Sequence, residues 1–388
     1  MVMSSPRKQA AAVVGTGFIG PVHIEALLRI GVCVRGVLGS TPEKGTAVAT
    51  RFGLGKVYRE YSEVLADSSI SVVHITTPNR CHRQMALDAL AAGKHVICEK
   101  PLAMNSVESR DLVAAAHRSA QVAAVNYNVR FYPVMLHARE LIQAGELGEI
   151  LSVRGAYVQD WLLYPTDWNW RLLPEEGGKL RAVGDIGTHW LDLVLFLTGL
   201  SIDAVFADLA TLIPVRQRPR QTAETFKRKE NGTTSCDEVT VTTEDWGSVL
   251  LRFAGGARGN LSVSQTTAGR KNQISLEIAG SQSALAWDSE HPNDLWIGYR
   301  NQPNQLLVRD PALLRGKARD FSSYPGGHNE GFPDTFKQLY HAFYEFIEDR
   351  SQPKLFATFE DGHRELVLCE AILASNQQGS WVYLAEPI

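Results

Sequence analysis

The chain has 388 residues, 44% of them hydrophobic and 21% charged, with a formal net charge of −3 at neutral pH. That length and composition predict two globular domains, and the near balance of charge excludes the basic footprint of a nucleic-acid-binding protein. No segment approaches the roughly 18 apolar residues of a membrane helix, and five scattered cysteines without metal or disulfide spacing point to a reducing, cytoplasmic setting.

The N-terminal third alternates short β-branched runs with amphipathic stretches. The pattern predicts strands at 11–14, 32–38, 71–76, 95–98 and 122–125, with helices near 22–30, 42–52, 82–92 and 106–119. Strands and helices in that alternation build a parallel sheet. Between the first strand and the first helix stands Gly15-Thr16-Gly17-Phe18-Ile19-Gly20. The first glycine permits the tight turn, the second lets backbone approach a pyrophosphate, and the third allows close helix–strand packing. A phosphate would rest on the helix N-terminus, where unpaired N–H groups point at it.

After the second strand the expected ribose-binding acid is absent, and the chain offers Gly39, Ser40 and Thr41 instead. The Ser40 and Thr41 hydroxyls suit a 2′-phosphate, with Lys44 or Arg35 supplying charge, so NAD and NADP both remain open as cofactors. The third strand runs into Thr76-Thr77-Pro78-Asn79 and then His82, a turn at the same sheet edge assigned here to the dinucleotide. The fourth ends in Glu99-Lys100-Pro101, where the proline stops the strand and leaves Lys100 at the carboxyl edge, the ligand edge of open α/β sheets. A lysine at a strand end is ordinarily a solvated charge, so its meaning depends on what joins it. Asn126, Tyr127, Asn128 and Arg130 follow the fifth strand. Asn128 is assigned to the cofactor, and Tyr127 and Arg130 to substrate, lining a cleft between the two halves.

Residues 1–126 thus read as a dinucleotide-binding domain and residues 127–388 as a second α/β domain. In the latter, strand-like runs at 150–158, 204–213, 238–243, 247–253, 259–265, 273–279, 284–288 and 294–299 have short connections, which favour antiparallel pairing in one broad sheet. Helices at 132–144, 185–198, 333–348 and 361–375 cover one face. The other is left as a surface for homo-oligomerisation. Trp161, Trp168 and Trp170 offer faces for stacking on a sugar ring, Arg171 adjoins them, and His328 lies in a glycine-rich loop; all are substrate candidates. The stretch Gly184-Asp185-Ile186-Gly187-Thr188-His189 opens a helix and puts Asp185 and His189 one turn apart. A carboxylate beside an imidazole orients it and raises its basicity, which suits proton transfer near neutral pH. A helix-capping aspartate with a buried histidine is the competing reading of the same residues.

The glycine turn, Thr77-Pro78-Asn79, Glu99-Lys100-Pro101 and Asp185-x-Gly-x-His189, in this order and spacing, resemble the Gfo/Idh/MocA family of glucose–fructose oxidoreductases and inositol dehydrogenases. The resemblance spans nearly the whole chain. It implies a Rossmann domain followed by an α/β domain with a large, mostly antiparallel, open-faced sheet that joins subunits into a homodimer or homotetramer. It further implies NAD(P)-dependent hydride transfer at a secondary hydroxyl of a sugar, glycoside or cyclitol. Glu99 joins the cofactor contacts, Lys100 resembles the catalytic, cofactor-contacting lysine, Asp185 the substrate-binding acid and His189 the proton-transfer base; no metal is implied. The chain departs from the pattern in its missing acid, in a longer approach at 177–185 that carries Lys179 and Arg181, and in a loop at 214–235 that reads as an insertion. Two alternatives share the fold: a glycoside-cleaving enzyme that oxidises its sugar transiently, and a non-catalytic dinucleotide-binding regulator, against which Lys100, Asp185 and His189 argue.

Overall fold

The computed structural model describes residues 7–220 and 236–385. Contacts divide these into two units, residues 7–128 with 333–366, and residues 129–220 with 236–332 and 367–385. The first boundary falls two residues after the expected one. Residues 333–366, read from sequence as part of the second half, belong to the first unit.

The first unit is built on β1 (Ala10–Val14), β2 (Cys33–Leu38), β3 (Lys56–Tyr58), β4 (Val72–Ile75), β5 (His95–Cys98) and β6 (Ala123–Val125), arranged β3-β2-β1-β4-β5-β6. All neighbours are parallel, and β1 and β4 are buried along their whole length, as strands covered on both faces must be. Five helices connect them: α1 (Ile19–Arg29), α2 (Pro42–Phe52), α3 (Tyr61–Ala66), α4 (His82–Ala91) and α5 (Ser106–Arg118). The ends of α2 show local coding plainly. Thr41 Oγ1 accepts the Lys44 N–H, Pro42 opens the first turn, and Gly53 at φ +65° stops the helix. The expected elements omit β3 and α3, because three residues with an exposed Lys56 are too short to display a strand period. In this doubly wound order the strand order reverses between β1 and β4, so their carboxyl ends form the ligand edge.

The second unit begins with α6 (Pro133–Gln143) and β7 (Ile150–Val158), followed by a one-turn α7 (Pro174–Gly177), α8 (Thr188–Thr198) and β8 (Ile202–Ala210). Next come β9 (Val215–Pro219), β10 (Cys236–Thr240), β11 (Trp246–Phe253), β12 (Arg258–Ser264), β13 (Gln273–Gly280), β14 (Ser283–Asp288), β15 (Asp294–Tyr299), β16 (Gln305–Val308) and α9 (Gly316–Asp320). The chain ends through α10 (Phe332–Glu348), α11 (Phe359–Gln378) and β17 (Val382–Tyr383). Nine strands form the broad sheet in the order β16-β15-β14-β13-β7-β12-β11-β8-β17. Every neighbouring pair is antiparallel except β7 with β12. The strand expected at 238–243 does not join that sheet. It appears as β10, paired only with β9 in a two-stranded ribbon from Cys236↔Pro219 to Thr240↔Val215. The expected insertion at 214–235 therefore begins as this ribbon, and its residues 221–235 lie outside the described residues.

One sheet face packs on α6 and α8. Trp190 of α8 is fully buried and donates its indole N–H to the Ser275 carbonyl at 3.0 Å. Gly155 of β7 permits this, since a Cβ there would run into the indole nitrogen and the Ser275 carbonyl. The opposite face carries Arg154, Ser275, Glu277 and Trp296 around a shallow depression, with Leu250 and Leu306 exposed. Among the described residues no helix is long and apolar enough to cross a membrane.

Candidate active site

The carboxyl edge of the first sheet collects most of the expected cofactor residues. Gly15 follows β1 at φ +118°, and a Cβ there would strike Thr76; a Cβ on Gly20 would strike the Gly15 carbonyl; Gly17 faces open space. The turn is thus closed behind and open in front, which is the cradle a pyrophosphate needs. Thr76, after β4, donates its hydroxyl toward the carbonyls of Val14 and Gly15 at 3.0 and 3.1 Å, so it braces the turn. The first turn of α1 contains no acid and Phe18 provides no side-chain cap, so its N–H groups suit an anion. Phe18 itself is half exposed and Ile19 opens α1.

At the end of β2, Lys44 Nζ lies 3.4 Å from Ser40 Oγ, and Gly39 approaches the Gly45 backbone so closely that no Cβ would fit. After β4, Pro78 caps a short turn containing the buried Asn79, and Thr77 Oγ1 reaches Met85. His82 is fully buried, with Nδ1 2.8 Å from the Pro101 carbonyl and Nε2 2.9 Å from that of Thr77. Burial pushes its pKa below the ordinary imidazole range. The ring lies between the loops after β4 and β5, and in its neutral form donates to one of the two carbonyls.

Glu99 and Lys100 follow β5, and the Lys100–Pro101 peptide is cis. The Glu99 carboxylate, 7% exposed, accepts the Lys100 backbone N–H at 3.2 Å and the Asn126 amide. Lys100 is partly exposed.

A second cluster forms in the other unit. Asp185 sits in a π-helical turn, Val183–Gly187, that runs directly into α8 and His189. Asp185 Oδ1 accepts from Arg171 Nε and Oδ2 from Gln265 Nε2, both at 3.0 Å. His189 is 7% exposed, and its ring centroid lies 6.1 Å from that of Tyr157. The Tyr157 hydroxyl donates to Asn272 Oδ1 at 2.8 Å, and burial, assisted by the Asp185 charge, keeps it protonated.

The remaining expected residues are placed less directly. Arg171 does reach Asp185, and it also stacks over Trp170 at 4.4 Å. Trp161 donates to Gln159 at 2.8 Å and packs with Trp168 on Leu162, Leu172 and Val241. Arg130 is buried and forks onto Asp192 of α8, so its guanidinium holds that helix. Tyr127 is in the first unit's core, and Asn128 donates to Thr335 at 2.7 Å. His328 is exposed, and Arg309 gathers its loop by donating to the Tyr324, Pro325 and His328 carbonyls.

Sequence reasoning missed the groups that fix the Asp185 segment. Glu244 accepts the Arg181 and Val183 N–H groups at 2.9 Å, capping the turn. Asp245 pairs with Arg181 and Arg216, and all three are at most 1% exposed. Arg181, read from sequence as part of an inserted approach, is an anchor; only the adjacent acids after the expected strand hinted at it. Among the described residues no three His, Cys, Asp or Glu side chains are grouped to hold a metal.

Comparison with known proteins agrees with this two-domain fold. Residues 10–127 match an oxidoreductase family with an NAD-binding Rossmann fold, and residues 135–286 match the C-terminal domain described as GFO/IDH/MocA. A levoglucosan dehydrogenase from Pseudarthrobacter phenanthrenivorans is 30% identical over 95% of this chain and 96% of its own. The structure of a levoglucosan dehydrogenase with NADH and L-sorbose superposes with a TM-score of 0.87 at 29% identity, covering 98% of this chain and all of that one. An inositol dehydrogenase homolog from Azotobacter vinelandii, solved with NADH and myo-inositol, gives 0.84 at 25% identity, covering 99% and 100%.

Proposed function

Because the chain belongs to the Gfo/Idh/MocA oxidoreductase family and carries its NAD-binding Rossmann fold, we propose that it oxidises a secondary hydroxyl of a cyclic sugar, anhydrosugar or cyclitol, or reduces the matching ketone. The observation that carries this reading is the second cluster, in which an acid held at both oxygens precedes a histidine by one helical turn at the head of α8. A bound dinucleotide would supply hydride acceptance from the carbinol carbon, or hydride donation in the reverse direction. Gly15, Gly17, Gly20 and the head of α1 would hold its phosphates, with Ser40, Thr41 and Lys44 toward the adenosine ribose.

The residues of this chain handle the hydroxyl and its proton. A His189 ring nitrogen accepts the O–H proton while Lys100 donates a hydrogen bond to the same oxygen, where negative charge builds as the C–H bond breaks. Asp185, whose charge is balanced by Arg171, accepts from a neighbouring hydroxyl and fixes the ring of the substrate. In the reducing direction His189 returns the proton. General acid–base assistance of this kind contributes about 10²- to 10⁴-fold.

The likeness to levoglucosan dehydrogenase and to an inositol dehydrogenase homolog supports a rigid cyclic polyol as the substrate class. Purified protein is tested with levoglucosan, myo-inositol and simple aldoses under either NAD or NADP, following the reduced nicotinamide absorbance. Turnover on at least one cyclic polyol is expected; absence of turnover with tight dinucleotide binding would favour the regulator instead. Aglycone release from a glycoside without net NADH would indicate the transient-oxidation reaction. A second copy of the chain on the open sheet face completes the proposal, with a dimer or tetramer expected by light scattering.

A further inference from the structure

His23, His74 and Tyr344 take no part in the chemistry above, yet they form a buried line that ends beside Lys100. Tyr344 of α10 lies with its hydroxyl 3.1 Å from Nε2 of His74 on β4. His74 Nδ1 is 3.1 Å from Nδ1 of His23 on α1, and His23 Nε2 is 2.9 Å from Glu99 Oε1. His23, His74 and Tyr344 are all fully buried. Tyr340 seals the line from one side, with its ring 5.1 Å from His23 and 4.9 Å from His74.

Proton accounting gives this line a direction. Burial pushes His74 well below the ordinary imidazole range, so it carries one N–H. The two facing Nδ1 atoms can share only one proton, and an ionised Glu99 requires an N–H on His23 Nε2. With the shared Nδ1 proton placed on His74, His23 accepts at Nδ1, and His74 Nε2, then without a hydrogen, accepts the Tyr344 O–H. In this arrangement every hydrogen bond points the same way, toward the Glu99 carboxylate.

We propose that Tyr344, His74 and His23 form a one-way hydrogen-bond chain that fixes the Glu99 carboxylate, making His23 and His74 positioning residues for Lys100. Glu99 Oε2 accepts the Lys100 backbone N–H, so the chain fixes the peptide from which the lysine side chain departs. Burying these polar groups is costly unless they are paired, and this direction gives His23, His74, Tyr344 and Glu99 each a partner along the line. The inference rests on Lys100 acting at the reacting oxygen.

The test compares His23→Leu, His23→Gln and Tyr344→Phe with the wild type, measuring kcat, sugar KM and the NADH dissociation constant. His23→Leu removes a bond to a charged acceptor and should lower kcat about 10- to 100-fold, with KM and NADH affinity within about twofold of wild type. His23→Gln keeps an N–H donor and should recover most of that loss. Tyr344→Phe keeps the ring packing, removes only the terminal donor and should lower kcat about 3- to 10-fold; it carries the test if His23→Leu does not fold. An unchanged kcat in both, or a parallel loss of NADH affinity, overturns the proposal. Neutron diffraction from deuterium-exchanged crystals reads the chain without activity: deuterium on His23 Nε2 and His74 Nδ1 is expected, and the opposite pattern overturns it. If Lys100→Ala retains full turnover while the deuterium pattern stands, the reading of Lys100 fails and the direction of the chain does not.

Discussion

Replacing Asp245 by asparagine should loosen the segment that carries Asp185 and His189, because this carboxylate is the counter-charge of two buried guanidiniums. Arg216 reaches Asp245 Oδ1 at 2.7 Å, Arg181 pairs with the same oxygen, and the Ile213 N–H donates to Oδ2 at 2.7 Å. Asparagine keeps one acceptor oxygen and loses the charge, leaving two buried cations to backbone carbonyls. Breaking a buried pair from one side costs about 3–5 kcal/mol. The lower end applies, since Arg216 retains the Leu162, Tyr164 and Asp167 carbonyls and Arg181 that of Thr243. In a unit of roughly 200 residues each kcal/mol shifts Tm by about 2–4 °C, so 3 kcal/mol lowers it by about 6–12 °C. Differential scanning calorimetry reads the shift directly. NADH affinity, which belongs to the other unit, should not move, whereas sugar KM should rise. A Tm change under about 2 °C would refute the reasoning. The double variant Asp245→Leu with Arg216→Met should recover part of the loss, because a buried pair replaced on both sides leaves fewer charges uncompensated.

Glu244 adds a pH dependence of definite sign. Burial pushes its carboxyl up to about 7 from an ordinary 4.5, so the folded chain binds this proton more tightly than the unfolded chain does. Its contribution is fully present below the unfolded value and is lost as pH rises through about 7, a span worth about 3 kcal/mol. Urea unfolding across that window should show the decline in wild type and a flatter profile in Glu244→Gln; identical slopes would remove Glu244 as the cause. At the end of β2, Ser40→Asp should place a carboxylate against a 2′-phosphate and lower kcat/KM for NADP by about tenfold or more while sparing NAD. Equal losses with both dinucleotides would show that residue 40 does not face that phosphate.

What the sequence made legible was local. Gly15 to Gly20, the capped ends of α2, and Pro101 stopping β5 are each specified by neighbours a few residues away, so the parallel sheet and its ligand edge could be read directly. The Asp185–His189 spacing was legible for the same reason, although the π-turn between them was not. Partners supplied from afar left no mark: Arg181 and Asp245 are 64 residues apart, His74 and Tyr344 are 270 apart. Periodicity could identify 333–348 as a helix but not the unit whose core it enters. At Arg130 proximity to β6 suggested a substrate contact, while its pairing with Asp192, 62 residues on, was not legible. The ribbon of β9 and β10 was misassigned because a polar strand of five residues does not announce its partner.

The most direct test of Lys100 and His189 as the groups that handle the reacting hydroxyl is the turnover of Lys100→Ala and His189→Ala, with NADH affinity measured on the same preparations. Each variant is expected to lose about 10²-fold or more in kcat, and His189→Ala to bind NADH as the wild type does. Wild-type turnover in both would contradict the assignment.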